Sequence, residues 1–278
     1  MIRVMTLNTS NEQDGVAMDP QEHLGQLQRA EIDILCCQGL WRSMDGSEDQ
    51  ARVLSESLGM PYSCFIPGPC RQSKQGASLQ GISGLAIMGG AGMWMLNSGS
   101  IPVISEPGGT KARAQFALFR KNGASVLVLN LQLCGSKQSQ LLQLRGLFSH
   151  SLLKEKYGAV VLSGDRQAGM TVKKLRTITG KSSYAPHQSL ISGDGSFEEG
   201  MLCILTAKEH PVAAVSLFEN GLGQVATSCS PAIGNRQAGL SLDFAMDRIP
   251  QDAYNKSFLP MSFEEQWSGY KAKAAAVA

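Results

Sequence analysis

The chain opens with apolar runs that alternate with a segment of helical periodicity. Residues 2–9 and 32–37 are apolar enough for buried strands, and the segment 20–31 between them places its apolar residues on one helical stripe. A further helix is predicted from Ser47, because Gln50 follows it at the spacing of a capping box. This order of strand, helix, strand and helix favours parallel strand pairing, so the first part of the chain predicts an α/β protein.

The middle of the chain has a different pattern, with short apolar runs and no helical periodicity between them. After a short strand at residues 62–66, residues 67–81 are rich in Pro, Gly, Ser and Gln, which predicts a surface loop. Antiparallel hairpins are predicted from the runs that follow, at residues 85–88, 92–96, 101–104, 115–120 and 125–131.

The longest amphipathic helix is predicted over residues 136–154, and it leads into a buried strand that closes on Gly164 and Asp165. A carboxylate at the end of a buried strand has a fixed backbone and faces a crevice, where α/β proteins build sites. Asp165 therefore has two interpretations, a site residue or an acceptor of backbone hydrogen bonds in a turn. The remaining predicted elements are a helix over residues 172–179, a loop, and strands near residues 202–206, 213–217 and 244–246.

The composition and net charge indicate what kind of protein this is and which partners are unfavourable. The chain has 278 residues, of which 43% are hydrophobic and 17% charged, and its net charge is +2. These values predict a globular protein and argue against a broad nucleic-acid-binding face. We interpret residues 1–278 as one domain with a frayed tail at residues 271–278.

The cysteines and the lengths of the apolar stretches indicate the cellular compartment of the protein. The seven cysteines are odd in number, show no zinc-ligand spacing and fall mostly in apolar runs. No apolar stretch reaches the roughly 18 residues that a membrane span needs, and the first residues lack the apolar region of a signal peptide. These features predict a protein of the reducing cytoplasm with no membrane span.

Six segments, taken in order, resemble the endonuclease/exonuclease/phosphatase superfamily, which includes exonuclease III, DNase I, inositol polyphosphate 5-phosphatases and neutral sphingomyelinases. They are residues 3–8, 33–38, 84–88, 126–133, 160–165 and 240–246, and together they span almost the whole chain. The resemblance implies an α/β (α+β) fold of the DNase I kind. In that fold two mixed sheets pack face to face, with helices outside, as a four-layer αββα sandwich.

The resemblance also implies a phosphoesterase site, from which this chain departs at most positions. Members of the superfamily carry a strand-end Asn, a Glu after Leu-Gln, a His in Asn-Thr-His-Leu, an Asn in Gly-Asp-Phe-Asn and a C-terminal Ser-Asp-His. Here Asn8 matches the first of these and Asp165 matches the Asp of the fourth. The other positions are occupied, in chain order, by Gly39, Gln132, Gln167, Leu242 and Asp243. A shift of one residue makes Asp243 the motif's Asp and places Phe244 at the His position, so both registers lose the His.

The replacements remove groups that hold Mg²⁺ and stabilise phosphate charge. Gly39 has no carboxylate, and Gln132 has no titrating nitrogen. We therefore predict a protein of this fold that has lost metal-dependent phosphoesterase activity and serves as a binding module with no metal or other cofactor. Its expected partner is a protein or a phosphorylated small molecule, and not nucleic acid. The alternative is a weak or altered Mg²⁺-dependent phosphodiesterase or phosphatase that acts through Asp165 and Asn8.

Other polar residues are weaker candidates. His187 is predicted on a loop, either solvated or as a replacement catalytic group. Lys111, Arg113 and Arg120 lie on a hairpin of the kind that can rim the cleft, so they are candidates for anion binding. His150 is predicted on the long helix, in a structural role.

Overall fold

The computed structural model describes residues 2–9, 24–72, 80–103, 112–155, 157–164, 172–179, 184–190, 201–207, 214–216 and 239–245, so the predicted frayed tail lies outside the described ranges. The strands are β1 (Ile2–Asn8), β2 (Ile34–Ser43), β3 (Tyr62–Gln72), β4 (Gln80–Gly89), β5 (Trp94–Ile101), β6 (Arg113–Lys121), β7 (Ala124–Gln132), β8 (Ala159–Gly164), β9 (Tyr184–Leu190), β10 (Met201–Ala207), β11 (Ala214–Ser216) and β12 (Gly239–Ala245). The helices are α1 (Leu24–Arg29), α2 (Gln50–Ser57), α3 (Lys137–Phe148), α4 (Val172–Ile178) and a 3₁₀ helix at Ser151–Lys154. None of the helices described here is long and apolar enough to cross a membrane.

The strands of the described ranges form two mixed sheets of six strands each. The first sheet has the order β11-β12-β1-β2-β4-β3, and the second has the order β5-β6-β7-β8-β10-β9. β1 pairs in parallel with β2, and β7 with β8, whereas the hairpins in the middle of the chain are antiparallel. Parallel neighbours need a crossover connection, and the connections here carry α1 and α3. The predicted parallel start and antiparallel middle are thus confirmed, although the runs predicted at residues 92–96 and 101–104 contribute to a single strand, β5, which ends at Ile101.

Three separate apolar cores define the layers. Val4 and Val128 belong to the core between the sheets, whereas the neighbouring Met5 packs with Leu54 of α2 on the opposite face of the first sheet. Leu144 of α3 belongs to the core on the outer face of the second sheet. Successive residues of a strand point to opposite faces, so one strand supplies two cores. The predicted four-layer αββα sandwich is confirmed.

The second helix begins later than predicted and has a different cap. Asp49, and not Ser47, is the N-cap of α2, and its carboxylate accepts a hydrogen bond from the backbone N–H of Arg52 at 3.0 Å. The side-chain oxygen of Gln50 accepts a hydrogen bond from the backbone N–H of Trp41 in β2 at 2.8 Å. That contact ties the start of α2 to β2, so tertiary packing overrides the local capping box.

The helix predicted over residues 136–154 is two elements. α3 ends before Ser149, whose hydroxyl donates to the carbonyl oxygen of Gly146 at 2.7 Å. His150 then caps the 3₁₀ helix, because its Nδ1 accepts a hydrogen bond from the backbone N–H of Leu152 at 3.2 Å. His150 is therefore a structural cap that follows α3 instead of lying on it.

Most of the segment predicted as a surface loop is strand. β3 and β4 remain paired as far as Gln72 and Gln80, and the residues between them, 73–79, lie outside the described ranges. Prolines are accommodated because β3 is an edge strand and its register shifts between Pro67 and Cys70. Composition alone therefore overestimated the length of this loop.

The turn between β6 and β7 contains Asn122 and Gly123, which have φ values of 51° and 83°. Tight hairpin turns favour Asn-Gly because both residues need positive φ. We expect Gly123→Ala to lower the free energy of unfolding by about 1 kcal/mol, because a side chain at this φ is strained although the space around it is open. Urea denaturation measures this loss. Gly92→Ala, in a turn with no positive φ, is the control, and an equal loss in both variants would contradict the prediction.

Candidate functional site

The inner faces of β1, β2, β7 and β8 carry polar residues at one end of the sandwich. In β1 the apolar residues that face the other sheet give way to Thr6 and then Asn8, and in β7 they give way to Asn130 and then Gln132. Ser163 stands one residue before the end of β8. We call this end of the sandwich the cleft end: it comprises the carboxyl ends of β1, β7 and β8 and the middle of β2 at Gln38 and Gly39, where the two sheets present polar residues to each other.

Hydrogen bonds join the two sheets beneath the cleft end. Gln38 Nε2 in β2 donates to Asn130 Oδ1 at 2.6 Å and to Thr6 Oγ1 at 3.0 Å. Ser163 Oγ donates to Thr6 Oγ1 at 2.9 Å. Because Thr6 and Gln38 belong to the first sheet and Asn130 and Ser163 to the second, these bonds hold β1, β2, β7 and β8 together beneath the cleft end.

Asn130 and Gln115 extend this network to further strands. Asn130 Nδ2 donates to the carbonyl oxygens of Cys37 at 2.9 Å and Ala86 at 3.0 Å, and Gln115 Nε2 donates to the carbonyl oxygen of Cys64 at 2.9 Å. We call the connected residues the amide layer: Thr6, Gln38, Gln115, Asn130 and Ser163. All of them are buried. None has an acidic or basic side chain, so the layer carries no charge over the ordinary pH range.

The amide layer was not singled out from the sequence, although a signal for it exists. Gln38 and Asn130 each follow two buried apolar residues on the same face of their strand. A buried amide requires hydrogen-bond partners, so such a residue predicts a polar contact across the core. Which strand supplies the partner depends on sheet packing, which a single strand does not reveal.

Two thiols lie beside the amide layer. Burial raises the pKa of Cys36 to about 12 and that of Cys64 to about 11, and hydrogen bonds to Ser163 and Gln115, respectively, offset only part of that rise. Both thiols are therefore protonated near neutral pH. They act as small core residues and not as nucleophiles, since the thiolate is the reactive form.

Gly39 occupies the position at which the resemblance places a metal-binding glutamate. It lies in a bulge of β2, where the register against β4 shifts between Gln38 and Leu40. Asn8 is in register with Gln38, so Asn8 and Gly39 end up side by side at the cleft end. The φ of Gly39 is 84°, a left-handed conformation that favours glycine. This position therefore has no carboxylate, and its backbone disfavours any side chain.

Gln132 is the last residue of β7 and is in register with Arg113, the first residue of β6. The neighbouring strand β8 ends at Gly164, which is in register with the residue before Gln132. Asp165 and Gln167 follow Gly164 in the chain and lie outside the described residues. Of the predicted site residues, the described part of the chain thus brings Asn8, Gly39 and Gln132 to the cleft end.

Arg113 extends from the second sheet toward the first. Its guanidinium lies against Gly68 of β3, so a methyl group at Gly68 would collide with Arg113 and with the carbonyl oxygen of Ser83. Arg120 stands seven positions further along β6, about 23 Å away. Lys111 lies outside the described residues. The three basic residues predicted as one anion-binding group are therefore not one group in the described structure, which places Arg113 alone of them at the cleft end.

The C-terminal motif lies away from the cleft end. β12 runs antiparallel to β1, with Leu242 opposite Val4 and Asp243 opposite Arg3. Arg3 and Asn8 are five positions apart in β1, which corresponds to about 17 Å of strand. The structure therefore does not bring Leu242 and Asp243 together with Asn8. This holds for both alignments of the C-terminal motif, because they differ by one residue only.

His187 lies in strand β9 and not in a loop as predicted. β9 is the edge strand of the second sheet, and its register with β10 shifts at His187. β10 separates β9 from β8, so the backbone at His187 lies about 10 Å from β8. Its place in the fold gives no support to a replacement catalytic role at the cleft end.

The described residues of the cleft end do not suit Mg²⁺. This hard cation takes oxygen ligands and is usually anchored by carboxylates. No group of three or more His, Cys, Asp or Glu residues that could hold a metal occurs in the described parts of the chain. The cleft end instead combines neutral amides with Arg113, whose guanidinium reaches β3 beside it, and a guanidinium repels a cation and attracts an anion. The arrangement suits a polar, anionic ligand.

Comparisons with known proteins identify the fold. The sequence matches no protein-family model and no curated protein. The structure is similar to an endonuclease/exonuclease/phosphatase from Beutenbergia cavernae, with a TM-score of 0.60 and 19% identity over 88% of this chain and 71% of that chain. It is similar to the human Nocturnin catalytic domain, solved with a bound sulfate anion, with a TM-score of 0.58 and 18% identity over 88% of this chain and 93% of that chain. A mannosyl-6-phosphatase from Bacteroides thetaiotaomicron gives a TM-score of 0.51 and 13% identity over 88% and 100% of the two chains.

Proposed function

We propose that this chain, which has the fold of the endonuclease/exonuclease/phosphatase proteins, is a binding protein without metal-dependent phosphoesterase activity. The observation that carries this proposal is Gly39, with its φ of 84°, at the position of the metal-binding glutamate. A reversion there would have to overcome backbone strain as well as restore a carboxylate. The motif's histidine is also replaced, by Gln132, so the site has no imidazole at that position. Catalytic groups act as a unit, so the loss of two of them leaves little activity.

The ligand that fits the cleft end best is a phosphorylated small molecule. Arg113 supplies a planar guanidinium, whose parallel N–H groups match phosphate oxygens. Asn8 and Gln132 offer both donors and acceptors, which suit ligand hydroxyl groups. Arg113 is the one Lys or Arg side chain that we place there among the described residues. A single cation favours a small anion over the repeated phosphates of a nucleic acid.

Binding of inorganic phosphate tests the proposal. We expect wild-type protein to bind phosphate equally well with EDTA and with Mg²⁺, and Arg113→Met to weaken binding by about tenfold or more, because a hydrogen bond to a charged group contributes about 1.5–3 kcal/mol. Arg120→Met removes the same charge from the other end of β6 and should change the affinity by less than about twofold. Two-dimensional NMR titration measures millimolar as well as micromolar affinities.

Two outcomes would contradict the proposal. One is equal weakening by Arg113→Met and Arg120→Met, which would place the anion elsewhere. The other is submillimolar Mg²⁺ or Mn²⁺ binding by calorimetry that disappears in Asp165→Ala, together with hydrolysis of bis-p-nitrophenyl phosphate. That second result would favour the weak or altered phosphoesterase acting through Asp165 and Asn8.

A further inference from the structure

We infer that Asn130 is a positioning residue that sets the spacing of the two cleft walls in the absence of any metal or ligand. One wall is the part of the first sheet that carries Asn8, at the end of β1, and Gly39, in the bulge of β2; the other is the end of the second sheet, which carries Gln132 and Arg113. The inference rests on the proposed function for its ligand-binding readout, and a second readout below is independent of that function.

Asn130 connects three strands of the two sheets through one side chain. It belongs to β7, and its two N–H donors are taken by the carbonyl oxygens of Cys37 in β2 and Ala86 in β4. These two acceptors are register partners, so the amide is held at one fixed point of the first sheet. Its oxygen accepts the 2.6 Å hydrogen bond from Gln38. Both ends of the amide are therefore engaged, and its orientation is determined.

The position of this amide makes it a spacer for the cleft. Asn130 lies two residues before Gln132, and Cys37 lies two residues before Gly39. Two residues of strand correspond to about 7 Å, so the tie lies one side-chain step beneath the cleft walls. Over so short a distance a paired strand is stiff, and a shift at Asn130 would be passed on to Gln132. Preorganisation of this kind reduces the cost of ordering a site when a ligand binds.

The opposite end of the sandwich offers a matched cross-sheet tie. Lys121 Nζ at the end of β6 forms a 2.6 Å ion pair with Asp33, which also accepts a hydrogen bond from the backbone N–H of Arg3 at 2.8 Å. Lys121 lies eight positions along β6 from Arg113, or about 26 Å. Lys121→Met therefore loosens the sheets at a point remote from the cleft.

The test compares Asn130→Leu with Lys121→Met at a temperature at which both are fully folded by circular dichroism. We expect Asn130→Leu to weaken phosphate binding by about tenfold. Lys121→Met should keep the phosphate affinity within about twofold of the wild-type value, even if it lowers the melting temperature as much as Asn130→Leu does. The second readout is hydrogen exchange. In Asn130→Leu, exchange should accelerate at the backbone amide of Thr9, which donates to the carbonyl oxygen of Gln38. In Lys121→Met, it should instead accelerate at the backbone amide of Asp33, which donates to the carbonyl oxygen of Arg3.

The outcomes separate the two ideas. If wild-type protein binds no phosphate, the proposed function fails, and the exchange pattern alone decides the positioning role. A folded Asn130→Leu variant with wild-type phosphate affinity, or with no selective acceleration at Thr9, would overturn the inference. If Asn130→Leu does not fold, Asn130→Ser takes its place, because serine keeps one donor but is too short to span both carbonyl groups and Gln38.

Discussion

Glutamate at position 39 is expected to destabilise the protein by about 1–3 kcal/mol and to restore no Mg²⁺-dependent hydrolysis. The φ of Gly39 is 84°, so any side chain must adopt a left-handed conformation or shift the bulge of β2. The restored carboxylate would also act without an imidazole, because Gln132 occupies the position of the motif's histidine. Urea denaturation gives the stability, and bis-p-nitrophenyl phosphate with Mg²⁺ gives the activity.

Gly92→Glu is the control for this substitution. Gly92 lies in a turn without positive φ, and an added Cβ there meets Lys121 Cε at 3.9 Å, an ordinary contact. Its cost should stay below about 0.5 kcal/mol, as at most surface sites. Equal stabilities of the two glutamate variants would show that the bulge accepts a side chain. Hydrolysis above background in Gly39→Glu would show that the rest of a catalytic site is still in place.

Raising the pH above 9 is expected to destabilise the fold steeply through its buried thiols. Burial raises the pKa of Cys36 from 9.0 to about 12 and that of Cys64 from 9.0 to about 11, and it raises the pKa of Cys37 as well. Above pH 9.0 the thiols of the unfolded chain lose their protons, whereas those of the folded chain keep them. The stability that the neutral thiols contribute is complete below pH 9.0 and is lost as the pH rises toward the folded-state values.

The expected size of this loss is about 1.4 kcal/mol per pH unit for each thiol, so Cys36 and Cys64 together cost roughly 5 kcal/mol at pH 11. Urea denaturation at pH 8, 9, 10 and 11 measures it. Cys36→Ala/Cys64→Ala should be less stable at pH 8, because the core loses volume, but should show a shallower fall. Val128→Ala is the control, because it also removes buried volume but no titrating group, and it should keep the wild-type slope. A wild-type profile that is flat to pH 11 would contradict the prediction.

The sheet elements were predictable because strand periodicity is local. The runs at residues 2–9 and 125–131 were predicted as strands from their apolar residues alone, and they are β1 and β7. The segment 67–81 was predicted as a loop because Pro and Gly punctuate it. Its prolines are tolerated since β3 is an edge strand, and edge position is a property of the assembled sheet.

The candidate site was predictable in part, for a related reason. The superfamily resemblance locates Asn8, Gly39 and Gln132 in the chain, and the structure brings the ends of β1 and β7 together with the bulge of β2 that contains Gly39. Asp243 belongs to a segment that also matches a motif, but its partner across the sheet is Arg3. The register of an antiparallel pair depends on contacts between residues far apart in sequence. If the register of β12 shifts by a few residues, the motif's sequence is unchanged but its position along β1 is different.

The sequence by itself determined the order of most strands and helices, and its resemblance to a known superfamily predicted the four-layer sandwich and the replacement of the metal-binding glutamate by Gly39 and of the histidine by Gln132. Apolar periodicity is a local property of the chain and is enough for the strands and helices, whereas the sandwich and the replaced site positions follow from the resemblance. Only the tertiary structure decided that Gln38 and Asn130 bind each other, that Arg113 and not Arg120 reaches the cleft end, and that Gly39 has a left-handed backbone. Each of these depends on contacts between residues far apart in sequence, whose geometry is set when the two sheets pack.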